Sequence, residues 1–466
     1  MRVRTISRWS RALLPAVALA ALPLHLPAQP AQLPTGAELA AAIDSIAAER
    51  LREGPIAGFS VAVSRGGELL VARGYGFADL EHRVPATAET VYRLGSITKP
   101  FTAAAILQLV EDGKLGLDDD MATHLPDYPT HGHRVTIRHL LTHTSGIRSY
   151  TGLGPRWQSK MALDLTHEEM LAFFKDEPFD FPPGTEYRYN NSGYYLLGLV
   201  IERLSHRTYA SYVRERLTSP YGLESTGYCE ERALVPHRAR GYTPGLIGLQ
   251  NAAPISMTHP FSAGALCSNA VDLVRWADAL FGGRIVNESS LALMLEEARL
   301  ESGNSVGYGL GVSLGEFEGR RMIGHGGAIN GFSTHLVHFP DDGLTIAVLA
   351  NTDGARPSRL TRQIARVALG LPEPEIKALP LGPEEARRYI GEYDLGELRI
   401  RVFEEGGRLR AQPTGRPILD LLYQGEHEFI VEQDPEIRIV FEVSGTQAVG
   451  LVLHQGGARV QAKRVR

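Results

Sequence analysis

Cysteine is nearly absent from this chain of 466 residues: Cys229 and Cys267 are the only two. Two thiols are too few for a structural zinc site, which usually takes four ligands. In an oxidising compartment an isolated pair is most simply a disulfide, here closing a loop of about 39 residues worth roughly 4 kcal/mol. The alternative is two buried free thiols. Long apolar runs are also missing, and no stretch reaches the ~18 residues of a membrane span. There is no basic excess. Lys plus Arg number 48 against 53 for Asp plus Glu, a net charge of −5. The only basic run is the short tail Lys463–Arg466, so a nucleic-acid partner is not expected. No glycine-rich phosphate loop is present, which removes kinase and dehydrogenase readings, and no cofactor is called for. His-Glu-x-x-His is absent too, since His167-Glu168-Glu169-Met170-Leu171 fails at its last position.

The balance of 43% hydrophobic and 22% charged residues is that of an ordinary globular protein, so a real core is expected. The N-terminus stands apart. Arg2, Arg4, Arg8 and Arg11 precede or begin a thirteen-residue apolar stretch from Ala12 to Leu24. Small residues follow at Ala28 and Ala31, and the first acidic residue is Glu38. This is the pattern of a cleaved secretory signal over residues 1–28, which places the mature protein in the periplasm or outside the cell.

After it, Thr35-Gly-Ala-Glu38 reads as a capping box opening a helix that stops at Gly54-Pro55. Residues 59–63 and 69–72 read as strands, 96–112 as an apolar helix, and 136–143, 193–204, 271–281 and 291–297 as further helices. Strands return at 322–324, 333–339 and 344–350. Strands at both ends of the segment with helices between them predict an α+β fold rather than a parallel sheet. Prolines at 372, 374, 380 and 383 mark a linker. Beyond it, seven short strands beginning at 397–403 predict a small all-β barrel. The expected organisation is therefore signal 1–28, a main domain 29–371, linker 372–382 and barrel 383–466.

Three short motifs carry chemistry. The first is Ser96-Ile-Thr-Lys99, the only Ser-x-x-Lys in the chain. A serine hydroxyl needs a nearby base to become a nucleophile. A lysine three residues on, at a helix start, lies on the same face, and burial lowers its pKa into a useful range. The second is Tyr189-Asn190-Asn191, the only Tyr-x-Asn. Its tyrosine is placed to exchange a proton, given a lysine charge that lowers its pKa, and Asn191 to bond a substrate carbonyl or the lysine. The third is His325-Gly326-Gly327-Ala328 at the end of a strand. Its two glycines leave a backbone edge open to close approach, and the Ala328 and Ser96 N–H groups are candidates for an oxyanion hole. His131, His133, His139 and His143 cluster nearby in sequence, but without a further ligand a packed helix beside the active-site loop explains them better than a metal does.

In this order the three motifs resemble those of the serine β-lactamase and penicillin-binding-protein superfamily. The nearest branch is the one holding class C β-lactamases, D-Ala-D-Ala carboxypeptidases, D-aminopeptidases and related esterases. Thr136–Gly146, Asn190–Gly198 and Ser262–Ser268 fit the same pattern, and the resemblance covers about residues 37–370. It implies an antiparallel sheet flanked by helices beside an all-helical subdomain, with the site between them. It also implies an acyl-enzyme on Ser96, with Lys99 and Tyr189 moving protons and His325 to Gly327 binding substrate. The tail resembles the lipocalin-like barrels of some relatives. One residue departs from the pattern. Where β-lactamases and carboxypeptidases carry lysine to meet a substrate carboxylate, this chain has His325, mostly neutral near pH 7. Amide or ester hydrolysis of a small-molecule or peptide substrate is the expectation. The alternative is a weakly active or inactive binding or sensor protein on the same fold.

Overall fold

The computed structural model describes residues 33–395, 399–455 and 458–465; the expected signal segment lies outside them. The capping box forms as read. Thr35 N–H donates to the Glu38 carboxylate at 2.8 Å and Glu38 N–H to the Thr35 hydroxyl at 3.3 Å, opening α1 (Gly36–Glu53). A seven-stranded sheet follows: β1 (Gly58–Arg65), β2 (Glu68–Asp79), β3 (Val84–Pro85), β4 (Ser313–Phe317), β5 (Arg320–Ile329), β6 (Phe332–Phe339) and β7 (Leu344–Ala350). Its order is β3-β2-β1-β7-β6-β5-β4, antiparallel throughout. The two ends of the segment meet where β1 pairs with β7, from Phe59 opposite Ala350 to Arg65 opposite Leu344.

Those two strands are buried on both faces, and the period-two alternation of a strand divides their side chains between two cores. Phe59, Val61 and Val63 join Ile346 and Val348 against α1 and α5 (Pro357–Ala368). Ala62, Ala347 and Leu349 face the larger core, which holds α2 (Thr98–Glu111), α3 (Asn191–Ser205) and α4 (Ala270–Phe281). Helix α2 is buried continuously from Thr98 to Leu109. Its apolar character on all sides is that of a central helix, and Phe101 stacks on Trp276 of α4 at 3.6 Å between centroids.

The disulfide expected between Cys229 and Cys267 is not formed; both are buried free thiols. Gly227 lies opposite Cys267 and Tyr228 opposite Leu266, which leaves Cys229 diagonal to Cys267 across the strand pair. Diagonal neighbours sit wider than the roughly 4 Å between Cβ atoms that a disulfide requires. The thiols hydrogen-bond instead. That bond lowers the pKa of Cys229 and raises that of Cys267.

The C-terminal part is a closed eight-stranded barrel from Gly391–Asp394 to Ala458–Arg464. Every strand is antiparallel to the next, and Tyr393 opposite Arg464 closes the ring. The sequence reading missed the first strand, which is four residues long and lacks alternation. The interior is packed with Tyr389, Tyr393, Phe429 and Phe441. Among the described residues no helix is long and apolar enough to cross a membrane.

Candidate active site

Ser96 lies in a 3₁₀ turn, Gly95–Ile97, that leads into α2; the α-helix expected from Ser96 begins two residues later. In a 3₁₀ turn residues i and i+3 eclipse. Lys99 is thereby set over the serine, with Nζ 3.2 Å from Oγ. Gly95 permits this arrangement. Its φ is +55°, and a Cβ there would meet the Ala328 backbone at 2.9–3.0 Å, so the turn packs directly on β5.

Lys99 is fully buried. Besides Ser96 its amine reaches the Asn191 side-chain carbonyl at 2.8 Å and the Ala263 carbonyl at 3.0 Å. None of these partners is a carboxylate. Burial without a counter-charge pushes the amine well below its ordinary value. A neutral amine has two hydrogens and one lone pair. Were the amine neutral, giving those hydrogens to the two carbonyl oxygens would leave the lone pair for the Ser96 hydroxyl.

Tyr189 reaches the same point from the loop before α3. The residue is 38% exposed, yet its hydroxyl interacts with Ser96 and its ring lies 4.7 Å from Lys99 Nζ. Lys99 charge was expected to lower the phenol's pKa. Burial instead raises it above the ordinary tyrosine value, so Tyr189 holds its proton. Asn190 caps α3 through Gly193 N–H at 2.8 Å, which leaves Asn191 to face Lys99.

In the third motif the glycines have separate reasons. A Cβ on Gly327 would come within 2.0 Å of the Leu94 carbonyl, whereas one on Gly326 would meet only ordinary contacts from 3.7 Å outward. Packing inside the fold thus already requires glycine at 327. β4 pairs with β5 only as far as Gly324, so from His325 to Ile329 the outer edge of β5 has no strand beside it. His325 itself is buried, its Nε2 2.9 Å from the Tyr308 hydroxyl. Burial first, and then Lys99, push its pKa down to about 3. The side chain is neutral.

Sequence reasoning missed several neighbours. Tyr308 carries no motif, and the stretch Ser262–Ser268 gives no sign that the Ala263 carbonyl meets Lys99. His143 was grouped with a histidine cluster that the fold disperses: His131 bonds the Lys175 carbonyl and His139 closes a cap with Thr136, while His143 packs at the site. The chain also contains one Gly-x-Ser-x-Gly, Gly303–Gly307, but it sits in an exposed loop pairing with Arg299 rather than at a strand-to-helix elbow.

Two cavities open here. One of 120 Å³ holds Ser96 and Ala328 and is walled by Tyr150, Trp157, Ile255 and Asn330. The other, 960 Å³, lies against His325, Gly326 and Tyr308 and is touched by Val460 of the barrel. Among the described residues its charged lining is Glu297 and Glu316, with no lysine or arginine.

The beta-lactamase family model matches residues 43–369. The chain belongs to that family. It is 27% identical to penicillin-binding protein 4* of Bacillus subtilis over 87% of this chain and 95% of that one. It is 29% identical to the D-aminopeptidase of Gluconobacter oxydans, over 69% of this chain but only 61% of the relative's length. Among solved structures, the octameric penicillin-binding protein homologue from Pyrococcus abyssi superposes with a TM-score of 0.64 at 27% identity, covering 92% of this chain and 99% of that one. These relatives and the fold identify a hydrolase of the serine β-lactamase and penicillin-binding-protein superfamily.

Proposed function

We propose that this protein is exported and hydrolyses amide or ester bonds through an acyl-enzyme on Ser96. Export rests on the N-terminal pattern of basic, apolar and small residues. The observation that carries the chemistry is the buried Lys99 amine at 3.2 Å from Ser96 Oγ, with its other two contacts neutral oxygens. Lys99 takes the hydroxyl proton as Ser96 attacks. Tyr189, whose phenol holds its proton at rest, gives it to the leaving group and takes the proton back from the Lys99 ammonium, so neither residue is left charged. The Ser96 and Ala328 N–H groups hold the developing oxyanion.

The substrate in this reading carries no carboxylate beside the scissile bond. His325 is neutral, and the larger cavity has only carboxylates among its charged groups. Neutral or amine-bearing esters and amides fit; β-lactams and D-Ala-D-Ala peptides fit poorly. The main domain is taken to span 29–371 and the barrel 383–466, joined by the proline-marked linker 372–382.

A fluorescent phosphonate probe tests the assignment. The wild type is expected to gain one label on Ser96, located by peptide mass, and Ser96→Ala to gain none while keeping its thermal transition. Equal labelling of Ser96→Ala would refute the nucleophile.

A further inference from the structure

Tyr189 lies on a loop, and a phenol that must reach Ser96 from a loop needs something to fix the backbone beneath it. The bonds that do so converge on one residue. Arg188 N–H donates to the His143 carbonyl at 2.9 Å, and Asn190 N–H donates to His143 Nδ1 at 3.0 Å. The backbone N–H groups of the residues on either side of Tyr189 are therefore tied to the main chain and the side chain of His143. Its ring packs on Tyr189 at 4.3 Å between centroids, and on Tyr308 and Tyr194 at 4.9 and 5.1 Å.

The bond to Asn190 also sets the state of the ring. An Nδ1 that accepts an N–H carries its lone pair there, so the neutral imidazole keeps its hydrogen on Nε2. That Nε2 is buried with no hydrogen-bond partner among the described residues. The residue has a left-handed backbone as well, φ +60°, uncommon for a side chain with a Cβ. Packing alone would be served by any flat apolar group. An orphaned nitrogen and a strained backbone, kept where a leucine or phenylalanine would do, mark a residue held for its other nitrogen.

We propose that His143 is a positioning residue for Tyr189: through its carbonyl and Nδ1 it locks the N–H groups of Arg188 and Asn190 on either side and so holds the phenol where it delivers a proton to the leaving group. This rests on the role of Tyr189 proposed above. Proton delivery matters little for a leaving group that departs as a stable anion and greatly for one that does not. A defect in phenol placement therefore grows with the basicity of the leaving group, whereas a general loss of structure lowers all substrates alike.

The test is kcat/KM for one acyl group carried on nitrophenyl, phenyl and alkyl leaving groups. It compares wild type, His143→Leu, His143→Asn, Tyr189→Phe and the double variant His143→Leu/Tyr189→Phe. Asparagine places an acceptor oxygen near the position of Nδ1, and leucine fills the space without one. His143→Leu should lose only a few-fold on the nitrophenyl ester and at least tenfold more on the alkyl ester. His143→Asn should recover most of that difference, and the double variant should be no worse than Tyr189→Phe alone. A uniform loss across leaving groups, no rescue by asparagine, or additive losses in the double variant would overturn the proposal. If His143→Leu shows no thermal transition, comparing His143→Asn with His143→Gln, whose oxygen lies one bond too far out, decides the same point. If Tyr189→Phe itself ignores the leaving group, the role of Tyr189 fails first and this proposal falls with it; dependence in Tyr189→Phe but not in His143→Leu refutes His143 alone.

Discussion

The barrel interior and the catalytic core are built from the same kind of material, buried tyrosines with a histidine among them, and they treat polar ends differently. In the barrel the Tyr393 hydroxyl donates to the Tyr389 carbonyl at 2.8 Å, and the Tyr389 hydroxyl meets His427 Nδ1 at 2.8 Å. Each polar end has a partner, and the rings close the shell. Around Ser96 the same residue types enclose an amine with no counter-charge and an imidazole nitrogen with no partner. Groups buried against their solvation preference mark a region shaped for chemistry rather than stability.

The contrast predicts opposite outcomes on activity and stability. The largest effect is expected for Lys99→Met, which removes the base and fills its space with an apolar chain. It should lower kcat/KM by about 10⁴, the upper range for a positioned base. It should also raise the thermal midpoint, because the folded state must strip the Lys99 proton that the unfolded chain keeps. The sign follows from the depressed folded pKa: the unfolded state binds more protons below the ordinary lysine value, so the native wild type gains stability as pH rises towards that value. A Lys99→Met protein that melts earlier than wild type would break the comparison.

A pair of matched substitutions sharpens it. Tyr189→Phe should cut kcat on an alkyl ester by about 10²–10⁴ with little change in melting. Tyr389→Phe, in the barrel, should leave kcat unchanged and lower stability by about 1 kcal/mol, the usual worth of one hydrogen bond. Steady-state kinetics and denaturant melts on both proteins separate the two regions.

The smallest predicted effect is on specificity. His325→Lys places a cation against the 960 Å³ cavity. It should shift the kcat/KM ratio of a carboxylate-bearing β-lactam to a neutral nitrophenyl ester by about tenfold, the equivalent of ~1.4 kcal/mol. An unchanged ratio would remove His325 from the account of substrate choice.

Much of the fold was legible in the sequence because it rests on short-range patterns. The Thr35 capping box, the apolar helix after Ser96 and the strands ending at Phe339 and Ala350 all follow from local spacing. The Ser-x-x-Lys and Tyr-x-Asn motifs were legible for the same reason. What escaped depended on contacts distant in sequence. The diagonal placement of Cys229 and Cys267 is set by the register of two strands nearly 40 residues apart, and sequence has no handle on it. The raised Tyr189 pKa follows from burial by other elements, and the Ala263 carbonyl meets Lys99 from 164 residues away. His143 sat in view, inside the Thr136–Gly146 stretch that shares in the resemblance, but its partners come from residues 188–194 and 308, so nothing in its own spacing showed what it bonds.

Catalysis as proposed requires Lys99 to be a neutral amine at working pH. Selective ¹³C labelling of lysine Cε with an NMR pH titration reads this directly, the Lys99 resonance being assigned by its loss in Lys99→Met. Lys99 should titrate well below the other lysines and remain deprotonated at neutral pH in the folded protein. A Lys99 resonance that titrates with the others near the ordinary value of about 10.4 would contradict it.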